Sequence, residues 1–237
     1  MKNASLKTLV DYYCKRKIIF INSNTCVFYF NLNKEIECSF NSILKLGVQN
    51  ISLCERDQLK ISSIKNDEAR NVFILQRLLL YEVLSIYGQI HYKQKQPYLP
   101  DIQVDKNGKL YFKNDSISFN ISHSGEQYII AVGSNTSQIG VDIDTISKIR
   151  DPVRYSSILF KDLIIKDPLV LLNTWTIFEA YSKSTGMPLT KLFKSDFSSF
   201  AADLASNNKN NFYNNYKFFS FECSHNVIAT ICEKILR

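Results

Sequence analysis

The chain has 237 residues, a formal net charge of +7, and hydrophobic and charged contents of 45% and 22%. This composition is typical of a globular protein with enough length for a buried core, and no segment is apolar over the length that a membrane-spanning helix needs. The positive charge favours an anionic partner, and nucleic acid, a membrane surface, a phosphorylated cofactor and an acidic protein all qualify. We expect no signal peptide and a cytoplasmic location.

The six cysteines show neither a Cys-x-x-Cys pair nor a regular spacing, and most have apolar neighbours. This pattern disfavours a disulfide scaffold and a zinc site. We therefore expect buried free thiols in a reducing compartment.

The N-terminal part of the chain predicts a β-hairpin followed by two helices. Two β-rich runs, residues 17–21 and 26–31, are separated by polar residues typical of a turn. A capping-box pattern that begins at Ser52 predicts a short helix. Asn66 is placed to cap a second, longer helix, whose apolar periodicity leads to a predicted end at Gly88.

The middle of the chain predicts a loop, a tight turn and several strands. Residues 91–100 are polar and basic and indicate a loop, and residues 105–108 read Asp-Lys-Asn-Gly, which is a strong turn signal. The predicted strands are residues 109–112, 117–122, 128–132 and 138–144.

The C-terminal part predicts one long helix and a set of strands. Asp167 and Pro168 provide an N-cap and a first-turn proline, and Gly186 lies where a helix ends. The tail alternates polar and aromatic residues, which predicts strands at residues 197–200, 216–221 and 227–232, with a polar loop over residues 207–215. Helices interspersed with short antiparallel strands indicate an α+β protein.

A short polar segment, residues 134–137, is the best candidate for a domain boundary. It divides the chain into an N-terminal half, residues 1–137, and a C-terminal half, residues 138–237. The C-terminal half carries the acidic residues on which the functional prediction depends.

Five residues indicate a metal-assisted reaction at a phosphate. Asp142 and Asp144 are two apart on a predicted strand, so both carboxylates leave the same face. Glu179 and Lys183 are four apart on the predicted helix and share one face. Three carboxylates form an oxygen-rich set that suits Mg²⁺, while a lysine, or His123 in the turn after its strand, contacts phosphate oxygens.

The motifs around these residues resemble the 4′-phosphopantetheinyl transferases, specifically the monomeric, surfactin-synthetase-activating type that modifies peptide and polyketide synthetase carrier domains. Residues 139–142 read Ile-Gly-Val-Asp, residues 175–183 read Trp-Thr-Ile-Phe-Glu-Ala-Tyr-Ser-Lys, and residues 119–125 read Phe-Asn-Ile-Ser-His-Ser-Gly. They are similar to the family's (V/I)-G-(V/I)-D strand, its (F/W)-(S/C/T)-x-K-E-(A/S)-x-x-K helix and its F-N-x-S-H-S-x segment. Arg70 and the loop at residues 94–98 lie where the family has its R-x-x-F-x-x-x-R-x-L-L helix and its G-K-P-Y loop.

The resemblance implies a fold of two similar α/β halves in a pseudo-twofold arrangement, each with a small, mainly antiparallel sheet packed on helices. It implies transfer of 4′-phosphopantetheine from coenzyme A to a serine of an apo carrier protein, with 3′,5′-ADP as the second product. The implied cofactor is Mg²⁺, with Mn²⁺ as the alternative. The implied partners are acyl, peptidyl or aryl carrier domains of secondary metabolite biosynthesis, and the expected state is a monomer that binds neither nucleic acid nor membrane.

The resemblance also implies a role for each site residue. The implied metal ligands are Asp142, Asp144 and Glu179, and the implied catalytic residues are Glu179, Lys183 and Asp142. The implied coenzyme A contacts are His123 at the 3′-phosphate, Lys183 at the pyrophosphate, and Ser122, Arg70, Lys95 and Asp142. The base that accepts the serine proton is left open between Glu179 and a water molecule polarised by the metal.

The chain departs from the family pattern at two positions. Phe178 occupies the position of the helix lysine directly before Glu179, which implies one phosphate contact fewer, and we expect a lysine to be tolerated there. Gln96 takes the place of the loop lysine, a role that Lys95 or Lys93 fills by a small shift.

Other interpretations account for part of the sequence. A nucleic-acid-binding protein would explain the net charge, but the lysines are dispersed and the sharpest motif is acidic. A different metal-dependent transferase that uses a nucleotide substrate would explain Asp-x-Asp and leave the helix and Ser-His-Ser motifs unexplained. A non-catalytic relative that binds coenzyme A or a carrier protein would explain Phe178.

Overall fold

The structure is a computed structural model that describes residues 14–22, 24–32, 55–92, 102–105, 109–112, 117–134, 138–160, 163–193, 195–207 and 211–235. The chain divides into two compact units. The smaller unit comprises Met1–Lys17 and Phe30–Gln103, and the larger unit comprises Ile18–Tyr29 and Val104–Arg237.

The described part of the smaller unit is mainly helical. Helix α1 spans Glu55–Ser63, and helix α2 spans Asp67–Tyr92. The Asn66 side chain accepts a hydrogen bond from the Ala69 backbone N–H at 2.8 Å, which confirms the predicted N-cap of α2. The predicted end at Gly88 is wrong, because α2 continues beyond it. A single glycine costs only about 1 kcal/mol inside a helix, so it does not end a helix that is otherwise well packed.

Ten strands lie within the described residues. Their bounds are β1 Cys14–Phe20, β2 Thr25–Leu32, β3 Ile102–Val104, β4 Leu110–Phe112, β5 Ile117–Ser124, β6 Gln127–Ser134, β7 Ile139–Thr145, β8 Phe212–Tyr213, β9 Tyr216–Ser224 and β10 Val227–Lys234. One four-stranded sheet has the order β1-β2-β6-β5, a second has the order β7-β10-β9-β8, and β3 pairs with β4. The pairs β5–β6, β7–β10, β9–β10 and β8–β9 are antiparallel.

Four α-helices of the larger unit lie within the described residues. Their bounds are α3 Pro152–Phe160, α4 Pro168–Thr185, α5 Leu189–Leu192 and α6 Phe197–Asn207. The predicted ends of α4 are confirmed: Asp167 accepts hydrogen bonds from the backbone N–H groups of Leu169 and Val170, and Gly186 adopts a left-handed conformation at the other end. The mixture of helices and small antiparallel sheets confirms the α+β class.

Two apolar clusters hold the larger unit together. The first packs the buried side of α4 against α6 and the second sheet, with Phe178, Phe197 and Phe218 at its centre. The second combines residues of both four-stranded sheets, among them Ile129 and Val141. The two sheets therefore share part of one core, and their edge strands β5 and β7 come together beside it.

Side chains of β5 bond to β7 where these two edge strands meet. Asn120 accepts a hydrogen bond from the Val141 backbone N–H at 3.0 Å. Further along the two strands, Ser122 donates a hydrogen bond to Asp142, and Ser124 donates one to Asp144. The polar residues of β5 thus bind the neighbouring sheet, because alternate residues of a strand share one face.

The C-terminal tail differs from the prediction in one element. Residues 197–200 form the first turn of α6 and not a strand. Phe197, Phe200, Ala201 and Leu204 all contact the first apolar cluster, and their spacing is that of one helix face. The predicted loop at residues 207–215 contains the short strand β8, while the strands predicted at residues 216–221 and 227–232 are confirmed by β9 and β10.

Several other predictions concern residues outside those described, including the Ser52 capping box and the loop that carries Lys95. The domain boundary at residues 134–137 stays a prediction. It separates the strands of the first four-stranded sheet from those of the second, whereas the compact units place Val104–Arg237 together.

Two absences hold within the described residues. No helix there is both long enough and apolar enough to cross a membrane. Cys26, Cys223 and Cys232 are free thiols, and Cys26 and Cys232 are buried.

Candidate functional site

The centre of the candidate site is a closed triangle of side chains from β5, β7 and α4. The Lys183 ammonium donates to Asp142 Oδ1 at 2.6 Å and to Ser122 Oγ at 2.9 Å. Ser122 Oγ donates to the same Asp142 oxygen at 2.7 Å. Asp142 is only 5% exposed, so its carboxylate does not lie on a solvated strand edge. Burial raises the pKa of Asp142, and the Lys183 ammonium and the Ser122 hydroxyl oppose that rise.

Asp144 forms a second cluster one step further along β7. Its Oδ1 accepts hydrogen bonds from Ser124 Oγ at 2.6 Å and from the Thr145 backbone N–H at 2.8 Å. The exposed Lys148 ammonium lies 2.7 Å from the same oxygen. Both aspartates are therefore partnered by a serine of β5 and by a lysine. The matching arrangement follows from the common two-residue period of the two strands.

Glu179 lies one helical turn before Lys183 and is partly buried. Burial and the neighbouring Asp142 carboxylate raise the pKa of Glu179, the Lys183 ammonium lowers it, and Asp144 raises it further. These influences place Glu179 in the electrostatic environment of both aspartates. The structure thus brings the three predicted carboxylates and Lys183 into one region.

His123 is exposed at the end of β5, and its ring stacks on Tyr128 with centroids 5.4 Å apart. Burial of part of the ring, followed by the positive charges of Lys183 and Lys148, lowers the pKa of His123, and Asp142 opposes this. Lys183 and Lys148 are thus close enough to affect the imidazole, and each of them is paired with an aspartate.

Gly140 explains why strand and helix approach so closely at this site. A Cβ atom at Gly140 would lie 2.0 Å from the Ala180 carbonyl oxygen and 2.5 Å from the Ser184 backbone nitrogen. Only a residue without a side chain allows the backbone of β7 to contact the backbone of α4 directly. The close approach brings Asp142, two residues after Gly140, within reach of Lys183.

Lys109 also belongs to this region, although nothing in the sequence indicates a function for it. Its ammonium donates to the carbonyl oxygens of Lys183 at 2.9 Å, Ile139 at 3.3 Å and Ser184 at 3.4 Å. A lysine directly after a turn gives no local signal for such a contact, since its partners are distant in sequence. Burial lowers the pKa of Lys109, and the Asp105 carboxylate opposes this.

A cleft of about 400 Å³ opens beside Lys183. Its walls combine apolar side chains with a few polar ones: Asp105, Lys109, Leu110, Phe119, Asn120, Ile121, Ser182, Lys183, Gly186, Met187 and Pro188. A cleft of this size and mixed lining is suited to a small organic ligand.

Phe178 does not occupy a position from which a lysine would reach a phosphate. Its side chain is fully buried and packs against Phe160, Phe193 and Phe197 at centroid distances of 5.0, 5.1 and 4.9 Å. This packing argues against the expectation that a lysine is tolerated here, because its charge would lie in an apolar cluster without a partner. Trp175, on the same face as Glu179, packs on Phe193.

The arginines of α2 belong to the smaller unit. Arg70 is paired with Asp67 on its own helix. Arg77 forms a buried ion pair with Asp57 at 3.0 Å and lies over the Phe73 ring, which indicates a structural role. The contact of Arg70 with a phosphate stays a prediction, as does that of Lys95, which lies outside the described residues.

The carboxylates of this site are the type of ligand that a divalent cation prefers. Among the described residues, no three His, Cys, Asp or Glu side chains converge closely enough to hold a metal ion. Burial, followed by the negative charges of Asp142 and Asp144, raises the pKa of Glu179, and a cation would offset the repulsion among these carboxylates.

A comparison with curated proteins finds a similar protein of Haemophilus influenzae, described as "Putative 4'-phosphopantetheinyl transferase". The two chains are 26% identical over an alignment of 132 residues. This alignment covers 50% of this chain and 52% of that protein. This similarity supports the phosphopantetheinyl transferase superfamily. The chain spans about half the length of the curated relative it matches, and no protein-family model matches it.

Proposed function

We propose that the protein is a 4′-phosphopantetheinyl transferase of the monomeric, surfactin-synthetase-activating type. It transfers the 4′-phosphopantetheine group from coenzyme A to a serine of an apo carrier protein and releases 3′,5′-ADP. The observation that carries the proposal is the contact of Lys183 with Asp142 and Ser122, with Glu179 beside them, which joins the three motifs of the resemblance. The similarity to the Haemophilus influenzae protein supports the same activity.

Asp142, Asp144 and Glu179 would hold Mg²⁺, or Mn²⁺, in this proposal. When bound, the cation neutralises charge on the pyrophosphate oxygens of coenzyme A. Asp142 and Asp144 also set the position of the positive groups around them, since each binds a lysine. Asp142 thereby contributes both to cofactor binding and to catalysis.

The remaining site residues bind and orient coenzyme A. Lys183 contacts the pyrophosphate as a point charge, and His123, whose pKa both Lys183 and Lys148 affect, contacts the 3′-phosphate. Ser122 holds Lys183 in place and contributes a hydroxyl to the phosphate site. Arg70 and Lys95 are further coenzyme A contacts in the proposal.

The reaction forms one phosphorus–oxygen bond and breaks another. The carrier serine oxygen attacks the phosphorus atom that bears pantetheine, and the bond from that phosphorus to the bridging oxygen breaks, so that 3′,5′-ADP leaves. The serine proton passes to a base, for which Glu179 and a water molecule are the two candidates. Lys183 stabilises negative charge on the phosphate oxygens as the bond breaks.

The cleft beside Lys183 is where we place the pantetheine arm. The arm is a flexible chain with amide groups, and the cleft has apolar walls with Asn120 and Ser182 as polar groups. We also propose a monomer whose two halves, residues 1–137 and 138–237, are related by a pseudo-twofold axis. The two four-stranded sheets, one composed of strands before residue 137 and one of strands after it, support that division.

The direct test is intact-protein mass spectrometry of an apo carrier domain incubated with this protein, coenzyme A and Mg²⁺. We expect an adduct of one phosphopantetheine per carrier, which is lost with EDTA and recovered with added Mg²⁺. A carrier with its modified serine replaced by alanine is the control. The absence of any adduct on acyl, peptidyl and aryl carriers, with coenzyme A still bound, would contradict the proposal and favour a non-catalytic relative.

A further inference from the structure

We propose that Lys109 is a positioning residue of this site, whose ammonium group fixes the end of α4 against the start of β7 and so holds Lys183 at Asp142. The proposal rests on the proposed function. Lys109 does not contact the reacting atoms and acts through the backbone of Lys183.

The ammonium of Lys109 has three N–H donors and meets three carbonyl oxygens. Two belong to the last turn of α4, Lys183 at 2.9 Å and Ser184 at 3.4 Å, and the third belongs to Ile139 at 3.3 Å, the first residue of β7. The number of donors matches the number of acceptors. One side chain therefore joins the helix and the strand that carry the site.

The carbonyl groups that Lys109 binds have no partner within their own element. The last carbonyls of a helix lack intrahelical donors and form the negative end of the helix dipole, where an ammonium group is favourable. Ser182 O is satisfied by the Gly186 N–H, which leaves the carbonyls of Lys183 and Ser184 for Lys109. Ile139 lies on the edge strand β7, and no strand of its own sheet pairs with β7 on that side.

Lys109 is itself held by Asp105. Its backbone N–H donates to Asp105 Oδ1 at 2.8 Å, and its carbonyl accepts from the Asp105 N–H at 2.9 Å. These paired contacts anchor the backbone of Lys109, so the side chain extends from a defined point. A well-anchored lysine transmits the position of Asp105 to the end of α4.

Three contacts then determine where Lys183 lies. Its backbone carbonyl is bound by Lys109, its ammonium is bound by Asp142, and Gly140 removes the side chain that would separate α4 from β7. Loss of the Lys109 contacts frees the last turn of α4 at the point from which the Lys183 side chain extends. Displacement of a phosphate-binding group by about 1 Å can cost roughly 100-fold in rate.

The test is a double-mutant cycle on transfer to a carrier domain, with Lys109→Met, Lys183→Met and the double variant. We expect Lys109→Met to lower kcat about tenfold or more at a temperature where thermal melting shows the variant to be folded. In the Lys183→Met background it has no further effect, because the group it positions is absent. Lys166→Met, which removes an exposed lysine, is the control and keeps the wild-type rate. An unchanged kcat, or the same loss in both backgrounds, would overturn the proposal.

A second measurement does not depend on activity. With ¹³C-labelled lysine, the Lys183 signal in the NMR spectrum is identified by its disappearance in Lys183→Met. We expect this signal to shift in Lys109→Met and to stay in place in Lys166→Met, and an unshifted signal in Lys109→Met contradicts the proposal. If the wild-type protein transfers to no carrier, the proposed function fails and this signal alone decides the role of Lys109. If Lys109→Met does not fold, Lys109→Gln takes its place in both experiments.

Discussion

The Lys183 ammonium lies 2.6 Å from Asp142 Oδ1, and this contact joins the helix motif of the chain to its strand motif. The Asp142 side chain is 7% exposed and the Lys183 side chain is 29% exposed, so solvent reaches this pair mainly at the lysine. A lysine held in this way keeps one face free for an anion. The predictions below follow from this arrangement and from the packing around it.

We predict that Asp142→Asn or Glu179→Gln abolishes transfer while the protein remains folded. Each change removes a charge from the proposed cation site and keeps the side-chain shape, so the loss of kcat should exceed 100-fold, about 3 kcal/mol in the barrier. Carrier modification followed by mass spectrometry measures the rate, and circular dichroism verifies the fold. Glu68→Gln, at an exposed position on α2, is the matched control. Full activity in either site variant would remove the metal-site assignment.

Gly140→Ala should lower both stability and activity. The new Cβ would overlap the Ala180 carbonyl at 2.0 Å, so β7 and α4 must separate, and overpacking of this kind costs about 1–3 kcal/mol. Urea unfolding measures the stability, and the Lys183–Asp142 distance should lengthen. In Gly125→Ala the added Cβ meets open space, and the cost comes from the positive φ of 57° alone. If Gly140→Ala has the same urea midpoint of unfolding as the wild-type protein, β7 and α4 are not packed this closely.

The titration of His123 should report the charges around it. Burial, followed by the charges of Lys183 and Lys148, lowers the pKa of His123, so the unfolded chain binds the proton more tightly than the folded protein. The stability contributed by neutral His123 is therefore fully present above the ordinary histidine pKa of about 6.5 and is lost as the pH falls from there through the lowered pKa of the folded protein. NMR titration measures this pKa directly. Lys148→Met should raise the pKa, and binding of 3′,5′-ADP should raise it further if the 3′-phosphate contacts the ring. An unchanged pKa on addition of 3′,5′-ADP would argue against that contact.

Phe178→Lys should destabilise the protein strongly. The side chain is fully buried among three phenylalanines, and loss of a large core side chain costs about 3–5 kcal/mol before the burial of a charge is counted. Chemical denaturation measures the effect. Phe178→Leu, which keeps an apolar group, should cost less. A Phe178→Lys variant of wild-type stability, with tighter binding of coenzyme A, would restore the idea that this position faces a phosphate.

Local chemistry was enough to predict several features from the sequence. Asp167, Pro168 and Gly186 defined the ends of α4, because capping depends on residues adjacent to the helix end. The two-residue spacing of Asp142 and Asp144 placed both on one face of β7 for the same local reason. The strand predicted at residues 197–200 failed because the short aromatic alternation outweighed the longer helical spacing that ends at Leu204.

What the sequence determined by itself is therefore the set of elements and the motif residues on each. Tertiary structure alone decided that Phe178 faces the core, since α4 is buried on several sides and its periodicity does not mark one face. It also decided that Lys109 binds the end of α4 and that Ser122 bonds to Asp142. These contacts join residues far apart in the chain, and they form only where the packing of β5, β7 and α4 brings their polar groups within hydrogen-bond distance.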